Sequence, residues 1–226
     1  MKKLWGILLL LSLVQMVSSA KTNNNNLNTA ERARYLSILE KEVIYEINLF
    51  RSNPAKYSKL YIEPLAKYYD RKILHYPGDK SIQTIEGIRA LNECVWDLKD
   101  ASSIPVLYPN PNLSKAARDH QCDQQKSGKT GHTGTDRSNL RQRIERYGTW
   151  QQRIGESIAY GNTSARQIVI FLLIDDGVRN RGHRATLLHP DFKIVGVACG
   201  KHPVYETMCV LDFAGGMDNS AIKNGN

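Results

Sequence analysis

The chain has 226 residues, 41% of them apolar and 8% aromatic, which suffices for one well-packed domain, or at most a domain with a sizeable extra piece. Its 31 basic and 22 acidic residues give a formal charge of +9, but no lysine or arginine block is interleaved with aromatics, so a nucleic-acid reader is excluded. The charge admits weak contact with anionic lipid headgroups or acidic polysaccharide at a membrane surface, beside the simpler reading of a solvated basic face.

In chain order, Lys2 and Lys3, the apolar run from Leu4 to Val14 and the small residues Ser18-Ser19-Ala20 have the layout of a secretory signal over residues 1–20. The run is shorter than the ~20 residues that cross a bilayer. No later run is long enough either, so the mature protein is expected to be soluble, secreted and extracellular. Loss of Lys2 and Lys3 with the leader lowers its formal charge from +9 to +7. Residues 21–28 are Asn-rich without apolar periodicity and read as a disordered lead-in to a domain over 29–216.

Leu36, Leu39, Val43, Ile47 and Phe50 recur at helical steps, predicting a first helix capped by Asn28 or Thr29 and ended by Asn53-Pro54. Residues 57–104 read as an insertion, with a short helix around Leu65 and a longer one over 82–99 carried by Ile85, Ile88, Leu91, Val95 and Leu98. Pro105, Pro109 and Pro111 form an extended approach to the next helix, where Asn112 is the expected cap and His120 shares an apolar face with Leu113, Ala116 and Ala117. A histidine in that setting reads as a hydrogen-bonded core residue.

A charged helix is expected over 138–147. Thr163 or Ser164 then caps an element whose centre, 168–174, is unbroken hydrophobe; the cap favours a helix, ended by Asp175-Asp176-Gly177. Residues 193–199 and 206–214 read as an antiparallel hairpin. If Cys199 opposes Cys209, Val197 meets Leu211 and Val195 meets Phe213 on one face. Helices first and strands late predict an α+β fold with an antiparallel sheet. Residues 217–226 are a polar tail.

Four cysteines in an exported chain, with no Cys-x-x-Cys, favour two disulfides. Cys199 and Cys209 pair across the hairpin, which leaves Cys94 and Cys122 to each other by elimination. Asn112 and Asn162 begin glycosylation sequons.

Three polar residues stand beside glycines in stretches read as loops or element ends: His132 in Gly-His-Thr, Glu156 in Gly-Glu-Ser and His183 in Gly-His-Arg. Together with Asn48-x-x-Arg51, a Leu-x-x-Ala-Ala-x-x-His helix and the run Gly-His-Arg-Ala-Thr-Leu-Leu-His-Pro-Asp-Phe-Lys-Ile-Val-Gly-Val-Ala, they resemble the CAP superfamily: cysteine-rich secretory proteins, antigen 5 and pathogenesis-related 1 proteins, or the SCP domain. The Gly-His-Arg form is most similar to its bacterial and protist branch. The resemblance spans 35–216 and is dense from Pro105 onward.

The resemblance implies an α-β-α sandwich with a cleft lined by two histidines and two acids. His132, Glu156 and His183 match three of these positions, and Asp175 or Asp176 stands where the family has a glutamate, with Asp175 the better fit. Ser157 replaces the family's asparagine. Family members are reported to bind sterols or lipids.

Two neutral imidazoles with carboxylates suit a divalent metal, with zinc the natural candidate and His132 and His183 its ligands; they equally suit proton transfer, or a polar network that holds loops. No His-Glu-x-x-His, Gly-x-Ser-x-Gly or activated nucleophile is present. The expected function is therefore ligand binding, with lipid, peptide or a partner's loop as candidates. A metal-dependent hydrolase or protease is one alternative, and a scaffold that binds partners through 57–104 is another.

Overall fold

The computed structural model describes residues 26–218. The expected signal sequence and the tail from 219 onward lie outside them.

The first helix, α1 (Ile38–Ser52), starts later than the periodicity suggests. Ser37, not Asn28 or Thr29, is its cap: its hydroxyl accepts from Glu40 N–H while the Glu40 side chain accepts from Ser37 N–H, a reciprocal capping box. Residues 26–36 form turns instead, because Asn48 on α1 gathers them. Its amide donates to the Leu27 carbonyl and Thr29 Oγ1, and its oxygen accepts from Leu107 N–H at 2.7 Å.

A four-residue helix α2 (Pro54–Tyr57) runs into a π-helical turn and a 3-10 turn that buries Leu65, as expected. A small antiparallel meander follows: β1 (Tyr69–Asp70), β2 (Ile73–Leu74) and β3 (Ile82–Gln83). The predicted helix over 82–99 is therefore shorter, α3 (Ile88–Leu98), since Ile82 pairs with Leu74 as a strand residue.

After β4 (Tyr108–Pro109) comes α4 (Pro111–Ser127), capped by Asn110 rather than Asn112. Pro111 takes the first helical turn, where a missing N–H costs nothing. Then come α5 (Leu140–Glu145), β5 (Thr149–Tyr160), α6 (Ala165–Ile174), α7 (Gly182–Leu187), β6 (Ile194–His202) and β7 (Glu206–Asp218). Ser164 caps α6, so the unbroken hydrophobe is a helix.

The main sheet has the order β4-β6-β7-β5, with β5, β6 and β7 antiparallel and β4 parallel to β6. Cys199 faces Cys209, Val197 faces Leu211 and Val195 faces Phe213, the predicted register. On that face α1, α3 and α6 pack Val43, Ile44, Ile47, Leu91, Ile168 and Leu173 over Val195, Val197, Leu211 and Phe213. On the other face α4 and α5 bring Leu113, Ala117 and Ile144 onto Ile158, Ala198, Val210 and Ala214. The result is an α-β-α sandwich. At Gly196 the α4 backbone lies so close that a Cβ would sit 2.1 Å from the Leu113 carbonyl carbon.

Cys199 and Cys209 form the expected disulfide. Cys94 and Cys122 do not pair, contrary to the elimination argument: both are free thiols. Cys94 belongs to the α3 core on one face of the sheet, while Cys122 lies on α4 on the other.

Arg51, fully buried at the end of α1, joins distant pieces. It donates to the carbonyls of Pro105, Leu187, His189 and Phe192 at 2.7, 2.8, 3.2 and 3.1 Å. Burial lowers its pKa to about 10, so it remains charged at neutral pH. The chain following α7 is thereby pinned beneath the sheet.

Candidate functional site

The edge strand β5 organises the site. Glu156 is not in a loop, as its glycine neighbour suggested, but inside this twelve-residue strand. Successive strand residues face opposite sides. Glu156 turns to the α4 and α5 side, whereas Gly155 and Ser157 turn to the α6 and α7 side. A Cβ on Gly155 would lie 2.8 Å from the Phe192 ring, so α7 and its following loop can approach only because that position is bare. Ser157 is completely buried, on the side away from Glu156.

On the α4 side, His132 donates from Nδ1 to Glu156 Oε1 at 2.8 Å. Its loop is held by neighbours rather than by regular structure. Gly131 N–H donates to the Tyr160 hydroxyl, and the Gly131 carbonyl accepts from Gln124 Nε2 at 2.6 Å. His120 is buried, as read from its apolar face, and its Nε2 lies 2.8 Å from the same carbonyl. Among the described residues its Nδ1 has no hydrogen-bond partner.

Arg143 escaped the sequence reading. It lies in α5, within the charged helix expected over 138–147, yet its side chain is 1% exposed. It donates from Nη2 to Glu156 Oε2 at 2.6 Å and from Nη1 to the carbonyls of His132 and Ser138. Only the partner's burial could have revealed it, since its helical neighbours are all polar or charged except Leu140 and Ile144.

Burial alone pushes the Glu156 carboxyl up, but the His132 hydrogen bond and the Arg143 guanidinium outweigh it and hold the group below the usual carboxylate range. Asp212 lies directly across the sheet from Glu156. It is fully buried, and among the described residues its oxygens have no hydrogen-bond partner. Burial and then the Glu156 charge push its pKa well above the usual carboxylate value, disfavouring its ionised form.

The second half arrives from the α6 side. Asp175 ends α6 in the left-handed conformation, φ +55°, with Gly177 at φ +78° completing the reversal. Its Oδ2 accepts from His183 N–H at 2.9 Å and its Oδ1 from His183 Nδ1 at 2.6 Å. The acid is shorter than the family glutamate, and it reaches because it grips backbone and ring of the same residue. Asp176 faces elsewhere, accepting from Ile85 and Glu86 N–H groups.

His132, Glu156, Asp175 and His183 thus come together as two histidine–carboxylate pairs. The imidazole centroids are 6.3 Å apart, with planes inclined by 43°. A carboxylate can only accept, so each neutral ring carries its proton on Nδ1 and presents the Nε2 lone pair. Among the described residues neither Nε2 has a hydrogen-bond partner. A groove of about 490 Å³ opens beside His183, walled by Ile158, Tyr160, Phe171, Leu172 and Tyr205 and by residues 80–84.

Other polar residues beside these motifs make local contacts. Asp136 accepts from Ser138 N–H and pairs with Arg146, with Arg137 at φ +67° in the turn. His189 accepts from Asp191 N–H and packs on Phe192. Among the described residues no three His, Cys, Asp or Glu side chains form a metal-holding group, so the two imidazoles are the donors available.

Residues 44–213 match the family described as "Cysteine-rich secretory protein family", CAP, over well more than half of the chain. Among solved structures, the chain is similar to an extracellular protein containing an SCP domain from Bacillus anthracis str. Ames. The two are 23% identical with a TM-score of 0.41, covering 49% of this chain and 34% of that one, so the chain spans about a third of that protein's length. It is also similar to an outer surface protein from Borrelia burgdorferi, 20% identical with a TM-score of 0.42, covering 49% of this chain and 78% of that one. None of the curated proteins matches the chain.

Proposed function

Because the chain belongs to the cysteine-rich secretory protein (CAP) family, we propose that it is an exported binding protein whose cleft receives a small amphipathic ligand, a lipid or an apolar peptide. The observation that carries this reading is the pair of imidazoles, His132 and His183, with centroids 6.3 Å apart and each Nδ1 held by a carboxylate so that Nε2 is left open, beside a groove that His183 lines. The groove accommodates the apolar part of such a ligand, and the two imidazoles meet its polar end, directly or through a divalent ion.

Zinc fits these donors. Two imidazoles bound at about 2.0–2.1 Å to one tetrahedral ion have centroids roughly 5 Å apart, so the rings, 6.3 Å apart here, would close by about 1 Å on binding it. Glu156 and Asp175 are the orienting partners that fix the tautomer, not ligands themselves. When bound, zinc supplies Lewis acidity and positions open to an exogenous ligand. Residues 26–218 contain no helix long and apolar enough to cross a membrane.

A hydrolase is disfavoured by the same geometry. A general base needs an oxygen free to take a proton from water, whereas Glu156 is engaged by His132 at one oxygen and Arg143 at the other. Ser157 is sealed on the opposite face.

The test has two arms. Zinc titration by calorimetry should show one site that disappears in His132→Ala and in His183→Ala. Incubation with sterols and fatty acids, followed by native mass spectrometry, should show a retained ligand that Leu172→Arg abolishes. No retained ligand and no zinc site would overturn the proposal.

A further inference from the structure

Residues 69–99 contribute no member of the four-residue constellation, yet their polar groups converge on the loop that carries half of it. Asp176 accepts from Ile85 N–H at 2.6 Å and from Glu86 N–H at 2.8 Å. Glu86 reciprocates by accepting from Gly177 N–H at 2.9 Å. The reversal on which Asp175 sits is thereby bound on both sides to the start of α3.

Arg181 is the centre of the contact. It grips Glu86 through Nη1–Oε1 at 2.6 Å and Nη2–Oε2 at 2.9 Å, and Glu93 through Nε–Oε1 at 2.9 Å and Nη2–Oε2 at 2.7 Å. The same guanidinium donates to the carbonyl of Asp175 itself. Two forked pairs on one guanidinium fix its plane, which a lysine could not do. Arg184, buried on the next turn, donates to Asp97 at 2.5 Å and to the Leu173 and Ile174 carbonyls that end α6. His183 lies between these two arginines in sequence.

Arg181 also has φ +49°, a left-handed conformation that a side chain-bearing residue keeps only when its surroundings impose it. It is the residue from which α7 begins, so its φ and ψ set the direction of the His183 ring. The hydrogen bonds of Arg181 and of Gly177 N–H hold the Glu86 carboxyl at about 2, and Arg181 lowers Glu93 as well, so the contact is fully charged at any physiological pH.

We infer that Glu86, Glu93 and Asp97 are positioning residues for His183, acting through Arg181 and Arg184 to set the gap between the two imidazoles. The inference rests on His183 being part of the binding site. His132, by contrast, is placed by Glu156, Arg143 and the Gly131 loop, and among the described residues it has no hydrogen bond or ion pair with 69–99. The site is therefore held from two independent bodies, and the 69–99 segment both aims one imidazole and, through residues 80–84, walls the groove beside it.

The experiment compares the full chain with Glu86→Gln/Glu93→Gln, with Glu93→Gln alone, with Arg181→Lys, and with Leu65→Ala as a packing control in the turn just before the segment. The readout is the ¹⁵N resonances and the exchange-protected Nδ1–H of each histidine ring, with zinc affinity measured in parallel. In the double variant and in Arg181→Lys, His183 should lose its protected Nδ1–H and shift its ring nitrogens while His132 is unchanged. Zinc affinity should fall at least tenfold. Leu65→Ala should lower thermal stability with both rings unmoved.

Should the double variant fail to fold, Glu93→Gln, which leaves the Glu86 fork in place, must still shift His183 selectively. Unchanged His183 resonances in the folded variants, or equal shifts of both rings, would overturn the inference. Absence of zinc binding by the unmodified chain would remove the metal reading only, because the ring resonances report on positioning without metal.

Discussion

Replacing Arg143 by methionine tests how the His132 half of the site is held. The side chain keeps its approximate length, but Glu156, 2% exposed, loses the one arginine or lysine that pairs with it among the described residues. Removing one member of a buried ion pair costs about 3–5 kcal/mol, because the remaining charge is left in a poorly polarisable setting. For a protein of this size each kcal/mol shifts Tm by about 2–4 °C, so the expected drop at pH 7 is about 10 °C, within roughly 6–20 °C.

The pH dependence distinguishes this account from simple loss of packing. In the unmodified protein the Glu156 pKa is lowered, so its contribution is present above the unfolded-state value and fades as pH falls through the folded-state value. In Arg143→Met burial is opposed chiefly by the His132 hydrogen bond, so the pKa rises relative to the unmodified protein and the ionised carboxyl is less favourable to folding at neutral pH. The deficit should therefore shrink toward pH 4. What remains there is the loss of the bonds to the His132 and Ser138 carbonyls, about 1–3 kcal/mol for two hydrogen bonds. Thermal unfolding at pH 4 and pH 7 measures both, and Arg143→Met/Glu156→Gln should recover most of the pH 7 loss. A deficit equal at the two pH values, or below about 2 °C at pH 7, would refute the reasoning.

Other expectations concern the sheet, the thiols, the first helix and the second imidazole. Gly196→Ala places a Cβ against α4 backbone, which cannot swing aside as a side chain would, and should cost about 3 kcal/mol or more in a denaturant titration. Of the two free thiols, Cys94 is fully buried and burial raises its pKa to about 12, so a thiol reagent should modify Cys122 alone until the protein is unfolded. Ser37→Ala removes one arm of the α1 capping box and should lower Tm by about 2–4 °C for a loss of about 1 kcal/mol. Asp175→Asn removes the charge and leaves one accepting oxygen for two donors, the His183 N–H and Nδ1–H, and should weaken zinc binding about 10–100-fold, with little effect on a His132→Ala background.

What could be read directly from the sequence were features whose cause is local or periodic. The hairpin register followed from alternation and one cysteine pair, the α6 helix from its capping residue, and the identities of His132, Glu156 and His183 from glycine-flanked motifs. Even the local signals competed: Asn28, Thr29 and Ser37 can each cap a helix, and Asn28 and Ser37 both have a glutamate three residues on, but the box forms between Ser37 and Glu40.

The tertiary structure decided everything that depends on partners far apart in the chain. Cys94 and Cys122 looked like a pair until the sheet separated them. Glu156 seemed to stand in a loop because its glycine neighbour signals a turn, whereas that glycine serves the approach of Phe192. The burial of Arg143 and of Asp212 left no trace in the sequence, since a buried arginine and a buried aspartate are spelled like exposed ones and become different groups only through desolvation and one neighbouring charge. The choice of Asp175 over Asp176 was settled in the same way: both are available at the end of α6, but the start of α3 takes Asp176 and leaves Asp175 to His183. Residue types and their periodicity are properties of the chain, while which carboxylate meets which imidazole depends on elements brought together across the edge of a sheet.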